Sequence, residues 1–269
     1  MEFNIFMFFL SLSLITGVVG TIIVLKKMAS VAGSVSHSLL ASVAIANFLK
    51  VNPIVTSIPF AFIISLIIHF IRQNKKLNED IALSIMWVLG VSIGIIFINL
   101  SNTYSSTVSF YLFGNVLFTD VYDVIISFLF AIFILAFYLI FNREIKNIIV
   151  DEDYSKIIGV NTALFNILVL TIVGLSIVLT IKAVGIILLI AIFTIPSTIA
   201  YKKSNSIEKC MLISSIISLI SFFSGYYISL LLNLPISSTI TIMLVTIFLV
   251  SELIDRKRGI VWKTRLKET

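Results

Sequence analysis

Charge is what this sequence has least of. Asp, Glu, Lys and Arg make up 12% of its 269 residues, against roughly 25% in a soluble domain. In their place 59% are hydrophobic and the mean hydropathy is +1.15, which excludes an ordinary water-soluble fold and points to an integral membrane protein. The one cysteine, Cys210, rules out an internal disulfide. No G-x-x-x-x-G-K-[ST] loop is present, so ATP cannot be cradled by that motif. HExxH and closely spaced cysteine pairs are also missing, and no internal repeat stands out. The start, MEFN, carries an acid where a signal peptide needs basic residues, and no A-x-A site follows. A cleavable leader is not expected.

What is there is a series of long apolar runs. A membrane-crossing helix needs roughly 20 mostly apolar residues. Spans are expected near 4–25, 31–49, 53–71, 81–100, 120–141, 161–181, 183–201, 210–232 and 237–254. The fold class is therefore an all-α polytopic membrane protein of about nine transmembrane helices, with eight as the alternative, and residues 1–269 form a single transmembrane domain. Two places are open. The small polar residues of 31–49 also suit a broken or re-entrant helix. Only Lys182 separates 161–181 from 183–201, which requires a sharp turn or an interrupted helix.

Basic residues accumulate in cytoplasmic loops. Nine spans with the N-terminus outside and the C-terminus cytoplasmic place every basic residue except Lys50 and Lys182 on the inner side. The inner set is Lys26, Lys27, Arg72, Lys75, Lys76, Arg143, Lys146, Lys156, Lys202, Lys203 and Lys209, with the C-terminal Arg256, Lys257, Arg258, Lys263, Arg265 and Lys267. The net charge of +6 is thus a topology signal, and such dispersed charge argues against a nucleic-acid face.

The longest inner loop, Asn142 to Gly159, carries Ile145, Ile148 and Ile149 at helical spacing, as in a short interfacial helix. Pro196 breaks the backbone ladder inside the seventh span. The outer loop Ser101–Thr119 ends in FYLFGNVLFTD, with aromatic residues suited to a membrane interface.

One segment differs in texture. Met28 to Ala46, MASVAGSVSHSLLASVAIA, is built from Ala, Ser, Gly and Val where the others use Ile, Leu and Phe. Small residues let membrane helices approach closely, and an ionisable group at membrane depth rarely faces lipid. Gly33, Ser34, His37, Ser38 and Ala41 share one helix face. That face either lines a narrow passage or packs tightly on a neighbour. His37 is the candidate metal residue, imidazole being the commonest side-chain ligand, and Ser34 and Asn47 offer neutral oxygens. His69, three residues before Arg72, reads as structural at the inner end of its span. The acids Asp151, Glu152 and Asp153 read as solvated surface, and a membrane-embedded enzyme built on them is a minor alternative.

Four ordered blocks resemble the permease subunits of prokaryotic ABC importers for zinc, manganese and iron. KKMASVAGSVSHSLLASVAIA is similar to that family's basic–Met–Ala start and G-D-A-L-S-H-A-x-L-P-G. Glu79-Asp80, opening a span, is similar to the family's E-D-x-x-I-G, and Tyr111–Val124, YLFGNVLFTDVYDV, is close to its Y-L-F-G-N-I-L followed by an Asp-Leu pair. The fourth block, Asp151 to Ser206, contains AVGIILLIAIFTIPSTIAYKKSNS, similar to V-G-x-L-L-x-x-A-L-L-I-I-P-A-A-T-A-R. GYYISLLLNLPISSTI also resembles the family's G-x-x-x-S-x-x-x-D-x-P-x-G. The resemblance implies an ATP-driven importer of divalent metal, zinc or manganese, as transported substrate and with no permanently bound cofactor. It implies a second permease copy, a separate cytoplasmic ATPase, an extracytoplasmic metal-binding protein and a place in the prokaryotic plasma membrane. It maps a coupling helix onto about Thr198–Lys209, with Pro196, Tyr201, Lys202, Lys203 and Ser204 as ATPase-coupling candidates. The departures are specific. The family's Asp four residues before the His is Gly33 here, its Pro-Gly is Ala41-Ser42, and its outer Asp is Asn233. Loss of a carboxylate removes a hard ligand and a negative charge, so a divergent member that has lost uptake is the second expectation.

Overall fold

The computed structural model describes residues 2–73, 78–101 and 112–257. Lys75, Lys76, Arg258, Lys263, Arg265, Lys267 and positions 102–111 of the outer loop lie outside the described residues. In chain order the helices are α1 (Glu2–Leu25), α2 (Ala29–Leu49), α3 (Pro53–Gln73), α4 (Glu79–Leu100), α5 (Val121–Ile140), α6 (Asn142–Val150), α7 (Glu152–Ile157), α8 (Thr162–Val184), α9 (Leu189–Lys203), α10 (Ile207–Leu232) and α11 (Ile236–Lys257). Among the described residues nine helical segments are long and apolar enough to cross a membrane: α1–α5, α8, α9 with its preceding 3-10 turn, α10 and α11. The nine-span reading holds.

Helices α1 and α2 form the core, enclosed by the others. The outer helices bury a narrow stripe each. On α5 the stripe is Ser127, Ala131, Ile134 and Tyr138, and on α4 it is Leu83, Gly90 and Gly94. Outside those stripes α4 and α5 expose Ile, Leu, Val and Phe, as helices do when lipid is their solvent.

The segment 31–49, expected to be helical, broken or re-entrant, is one continuous helix. Three of its four serine hydroxyls find partners nearby. Ser36 Oγ donates to the Gly33 carbonyl at 2.9 Å, Ser38 Oγ to the Met86 carbonyl at 3.2 Å, and Ser42 and Ser57 share a bond at 3.3 Å.

The junction between the sixth and seventh spans lies elsewhere than expected. Lys182 is inside α8, and the chain turns at Gly185, whose φ of +80° suits a residue without Cβ. A 3-10 turn, Ile186–Leu188, then enters α9. Pro196 sits buried within α9, which continues past it to Lys203. No separate helix forms over 198–209: the residues end α9, cross a short connection and begin α10. The interfacial helix expected in 142–159 is instead two, because Asp151 leaves helical geometry (φ −152°) to cap α7 by accepting from the Tyr154 N–H at 2.9 Å.

Cys210, near the start of α10, is buried. Thr21 Oγ1 donates to its Sγ at 3.7 Å, and Ser197 and Ser214 pair beside it at 2.8 Å.

Candidate functional site

The site is built on the seam between α2 and α4, the most extensive helix pair in the fold. Gly90 and Gly94 make it possible. A Cβ at Gly90 would stand 2.4 Å from Ser38 Cα, and one at Gly94 would stand 2.8 Å from Leu40 Cγ. Backbone therefore meets backbone, the arrangement small residues permit in membranes. Of the two readings left open for the 33/34/37/38/41 face, packing wins for Gly33, Ser38 and Ala41, which are buried.

His37 stands at the edge of this seam, half-buried. Its imidazole stacks on the indole of Trp87, with centroids 4.0 Å apart and planes 13° from parallel. Among the described residues no hydrogen bond reaches either ring nitrogen. Ser34, one turn earlier, has a buried hydroxyl that is also unpartnered among the described residues. Such a group carries a desolvation cost of about 1–3 kcal/mol that a guest with a lone-pair acceptor or positive charge would relieve.

The space where a carboxylate would lie is occupied. A Cβ on Gly33 would meet Ile190 Cδ1 at 2.9 Å and Trp87 Cζ3 at 3.2 Å. Trp87 thus takes the place of a side chain at position 33 and covers the ring at position 37. The nearest acid along the seam is Asp80, which accepts from Ser30 Oγ at 3.1 Å, two turns nearer the α4 N-terminus. Asn47 is not part of the same site. It lies ten residues from His37, about 15 Å along the axis, and donates to Ser101 Oγ at 3.4 Å.

His69 is buried at the end of α3, hydrogen-bonded to Gln73 at 2.9 Å, in keeping with a structural role. The acids of 151–153 are engaged locally. Asp151 caps α7, Asp153 pairs with Lys156 at 2.9 Å, and Glu152 accepts from Asn166 Nδ2 at 2.9 Å. Among the described residues no group of three His, Cys, Asp or Glu could hold a metal ion.

At the end of the bundle shared by α6, α7 and the α9–α10 connection lies a continuous face. Glu208 ties it together, accepting from Tyr138 Oη at 2.9 Å and pairing with Lys146 of α6 at 2.5 Å. Ile145 and Ile148 of α6 point into the protein. Val150, Tyr154, Ile157 and Ile158 point out, Ile157 with 82% of its surface exposed. Of the coupling candidates, Tyr201 and Lys203 are exposed on this face and Ser204 is buried. Lys202 pairs with Glu252 and lies 5.5 Å from the Phe248 ring centroid.

At the opposite end two left-handed glycines meet. A Cβ on Gly114 (φ +66°) would stand 2.4 Å from Gly185 N, and one on Gly185 would stand 2.3 Å from the Leu112 carbonyl oxygen. Ser237 Oγ of α11 donates to the Phe113 carbonyl at 2.5 Å. Asn233 caps α10 in the left-handed region (φ 51°), a conformation Asn tolerates.

Sequence reasoning missed Trp87. Its signals were present, an indole three residues before the first glycine of Gly90-x-x-x-Gly94, but they identify a partner only once α2 is in place.

Comparison with known proteins gives a consistent result. The model of the ABC 3 transport family matches residues 2–255. A high-affinity zinc uptake system membrane protein, ZnuB, of Buchnera aphidicola is 32% identical over 246 residues, covering 90% of this chain and 93% of that protein. A manganese transport system membrane protein, MntC, of Listeria innocua is 26% identical over 255 residues, covering 95% and 91%. Among solved structures, PsaBC from Streptococcus pneumoniae in complex with Fab superposes with a TM-score of 0.83 at 26% identity, covering 92% of this chain and 89% of that one.

Proposed function

From the premise that this chain belongs to the ABC 3 transport family, we propose that it is the membrane-spanning permease subunit of an ATP-driven importer of divalent metal ions, zinc or manganese. The observation that carries the reading at the residue level is His37, an imidazole at membrane depth whose two nitrogens, like the Ser34 hydroxyl one turn away, accept or donate no hydrogen bond among the described residues. Ionisable groups kept inside a membrane protein mark pathways. Here α2 is the transport helix, and His37 is a transient ligand for the cation.

The whole chain works as one transmembrane domain in a prokaryotic plasma membrane, with its N-terminus outside. It acts as a pair of copies with a cytoplasmic ATPase and an extracytoplasmic metal-binding protein. The ATPase docks on the face built from α6, α7 and the α9–α10 connection. Exposed Val150, Tyr154, Ile157 and Ile158 supply apolar area, and Tyr201 and Lys203 stand beside them. Lys202 and Ser204 support that face from inside, and Pro196 sets the path of α9 toward it.

A second reading is favoured by one observation: the indole of Trp87 fills the space beside Gly33. In that reading the scaffold is kept and uptake is lost. Cellular zinc and manganese, measured with and without the gene and with His37→Ala, decide between the two. A working permease raises metal content and His37→Ala lowers it. Unchanged content in all three strains supports the silent scaffold.

A further inference from the structure

A chain of hydrogen bonds at the end of the bundle that carries α7 joins the α1–α2 turn, α8 and α7. Lys26 follows α1 and precedes α2. Its Nζ donates to Asn166 Oδ1 of α8 at 2.5 Å, and Asn166 Nδ2 donates to Glu152 Oε1 of α7 at 2.9 Å. Asn166 is used on both sides of its amide, oxygen toward the lysine and nitrogen toward the acid. An amide is suited to this because it accepts and donates at once. We propose that Lys26 is a positioning residue for transport: through Asn166 it ties the start of α2 to Glu152 of α7, so that movement of the docking surface pulls on the transport helix.

The geometry favours this over a plain surface contact for three reasons. Lys26 is two residues before Met28, the N-cap of α2, which is almost completely buried and fixes the entry of the helix. Asn166 sits in the second turn of α8, the element that follows α7. Glu152 sits in the first turn of α7, next to the residue that caps it. A displacement of α7 therefore reaches the α1–α2 turn through two short bonds without crossing a flexible segment.

The charges around the relay are known for each element. Glu152 of α7 attracts Lys26, while Arg72 of α3, itself paired with Glu79 at 3.1 Å, repels it. Lys156 of α7 lies 3.9 Å from Glu152, and His69 of α3 is within electrostatic reach of the same acid. Burial pushes the Lys26 ammonium down to about 8, with Glu152 opposing the shift and Arg72 adding to it. Above that pH the amine still reaches Asn166 but carries no charge for the acid beyond it.

The sign separates positioning from stability. A lysine whose folded value lies below its unfolded one holds fewer protons when folded, so deprotonation favours the folded state between about 8 and 10.5. Loss of function above pH 8 then occurs without loss of fold.

This inference rests on the transport reading, and its test keeps the two apart. In cells that hold the complete transporter, uptake of radioactive zinc and manganese is followed as cytoplasmic pH is set from about 6.5 to about 9, across the shifted range of the lysine. Wild type should lose uptake with a midpoint near 8 while the melting temperature of the purified complex holds. Lys26→Arg should retain uptake to the top of the range, Lys26→Met should be low throughout, and Glu152→Gln should move the midpoint to lower pH. A midpoint shared by wild type, Lys26→Arg and Glu152→Gln overturns the relay. Absence of uptake of both metals in wild type at every pH defeats the transport reading instead. The relay is then judged by the melting temperatures of Lys26→Met, Glu152→Gln and the double variant. Losses smaller in combination than in sum support it, and additive losses overturn it.

Discussion

His37 and Trp87 face each other across the α2–α4 seam, ring on ring at 4.0 Å. Such pairs contribute about 0.5–1.5 kcal/mol beyond their burial, enough to hold the imidazole in one orientation with its nitrogens at the edge of the stack. Replacing Trp87 by Leu should lower the melting temperature of the detergent-purified protein by a few degrees, at roughly 2–4 °C per kcal/mol. His37→Ala, which removes the same stack, should lower the melt by a similar few degrees and cut metal uptake about tenfold or more, a change of ~1.4 kcal/mol. Uptake equal to wild type in His37→Ala would remove His37 from the path.

Restoring a carboxylate at position 33 requires room. Ile190 Cδ1 is the flexible end of a side chain and can move, whereas Trp87 Cζ3 belongs to a rigid ring. Gly33→Asp alone should therefore reduce the yield of folded protein, and Gly33→Asp with Ile190→Ala should recover it. The double variant adds a hard oxygen ligand one turn from His37, so manganese uptake should gain relative to zinc. Competition between the two ions in an uptake assay reads this directly.

Gly90 tolerates no side chain. With backbone Cα 2.4 Å from where its Cβ would be, Gly90→Val must separate α2 from α4 or distort both. Overpacking usually costs about 1–3 kcal/mol, and a clash with backbone belongs at or above the upper end. Size-exclusion profiles of the solubilised protein should show aggregation for Gly90→Val and a monodisperse peak for Val88→Ala, whose side chain points outward.

The docking face can be tested by charge. Tyr154 and Ile157 lie 54% and 82% exposed on α7, so Ile157→Asp should leave the fold intact. At the centre of an interface, losing an anchor costs about 2 kcal/mol or more, which is some thirtyfold in affinity. Co-purification of the ATPase should fall accordingly, and Lys203→Glu should add to the loss. Full retention of the ATPase by Ile157→Asp would move the docking surface elsewhere.

Much of this architecture was legible because membrane spans are long and announce themselves by composition. All nine expected spans correspond to helices, and Ile145 and Ile148 were found buried at the spacing that suggested them. What failed was local punctuation. Lys182 looked like a boundary because it is charged, yet the turn belongs to Gly185, since only the backbone angle φ decides it. Asp151 faces solvent as expected, but its role as the cap that divides α6 from α7 was not foreseen. The site was half legible. His37 stood out by its setting, but the His37–Trp87 pair and the Lys26–Asn166 bond join residues 50 and 140 positions apart, and no periodicity within one helix encodes such pairs.

Cys210 has a practical consequence. It is the chain's single thiol, and it is shut inside the helix bundle. The native protein is thus already a silent background for water-soluble thiol reagents. A cysteine placed at Asn52, at Asp153 or at Trp87 would report its own side of the membrane, or its own access to the passage, with no need to strip the chain first.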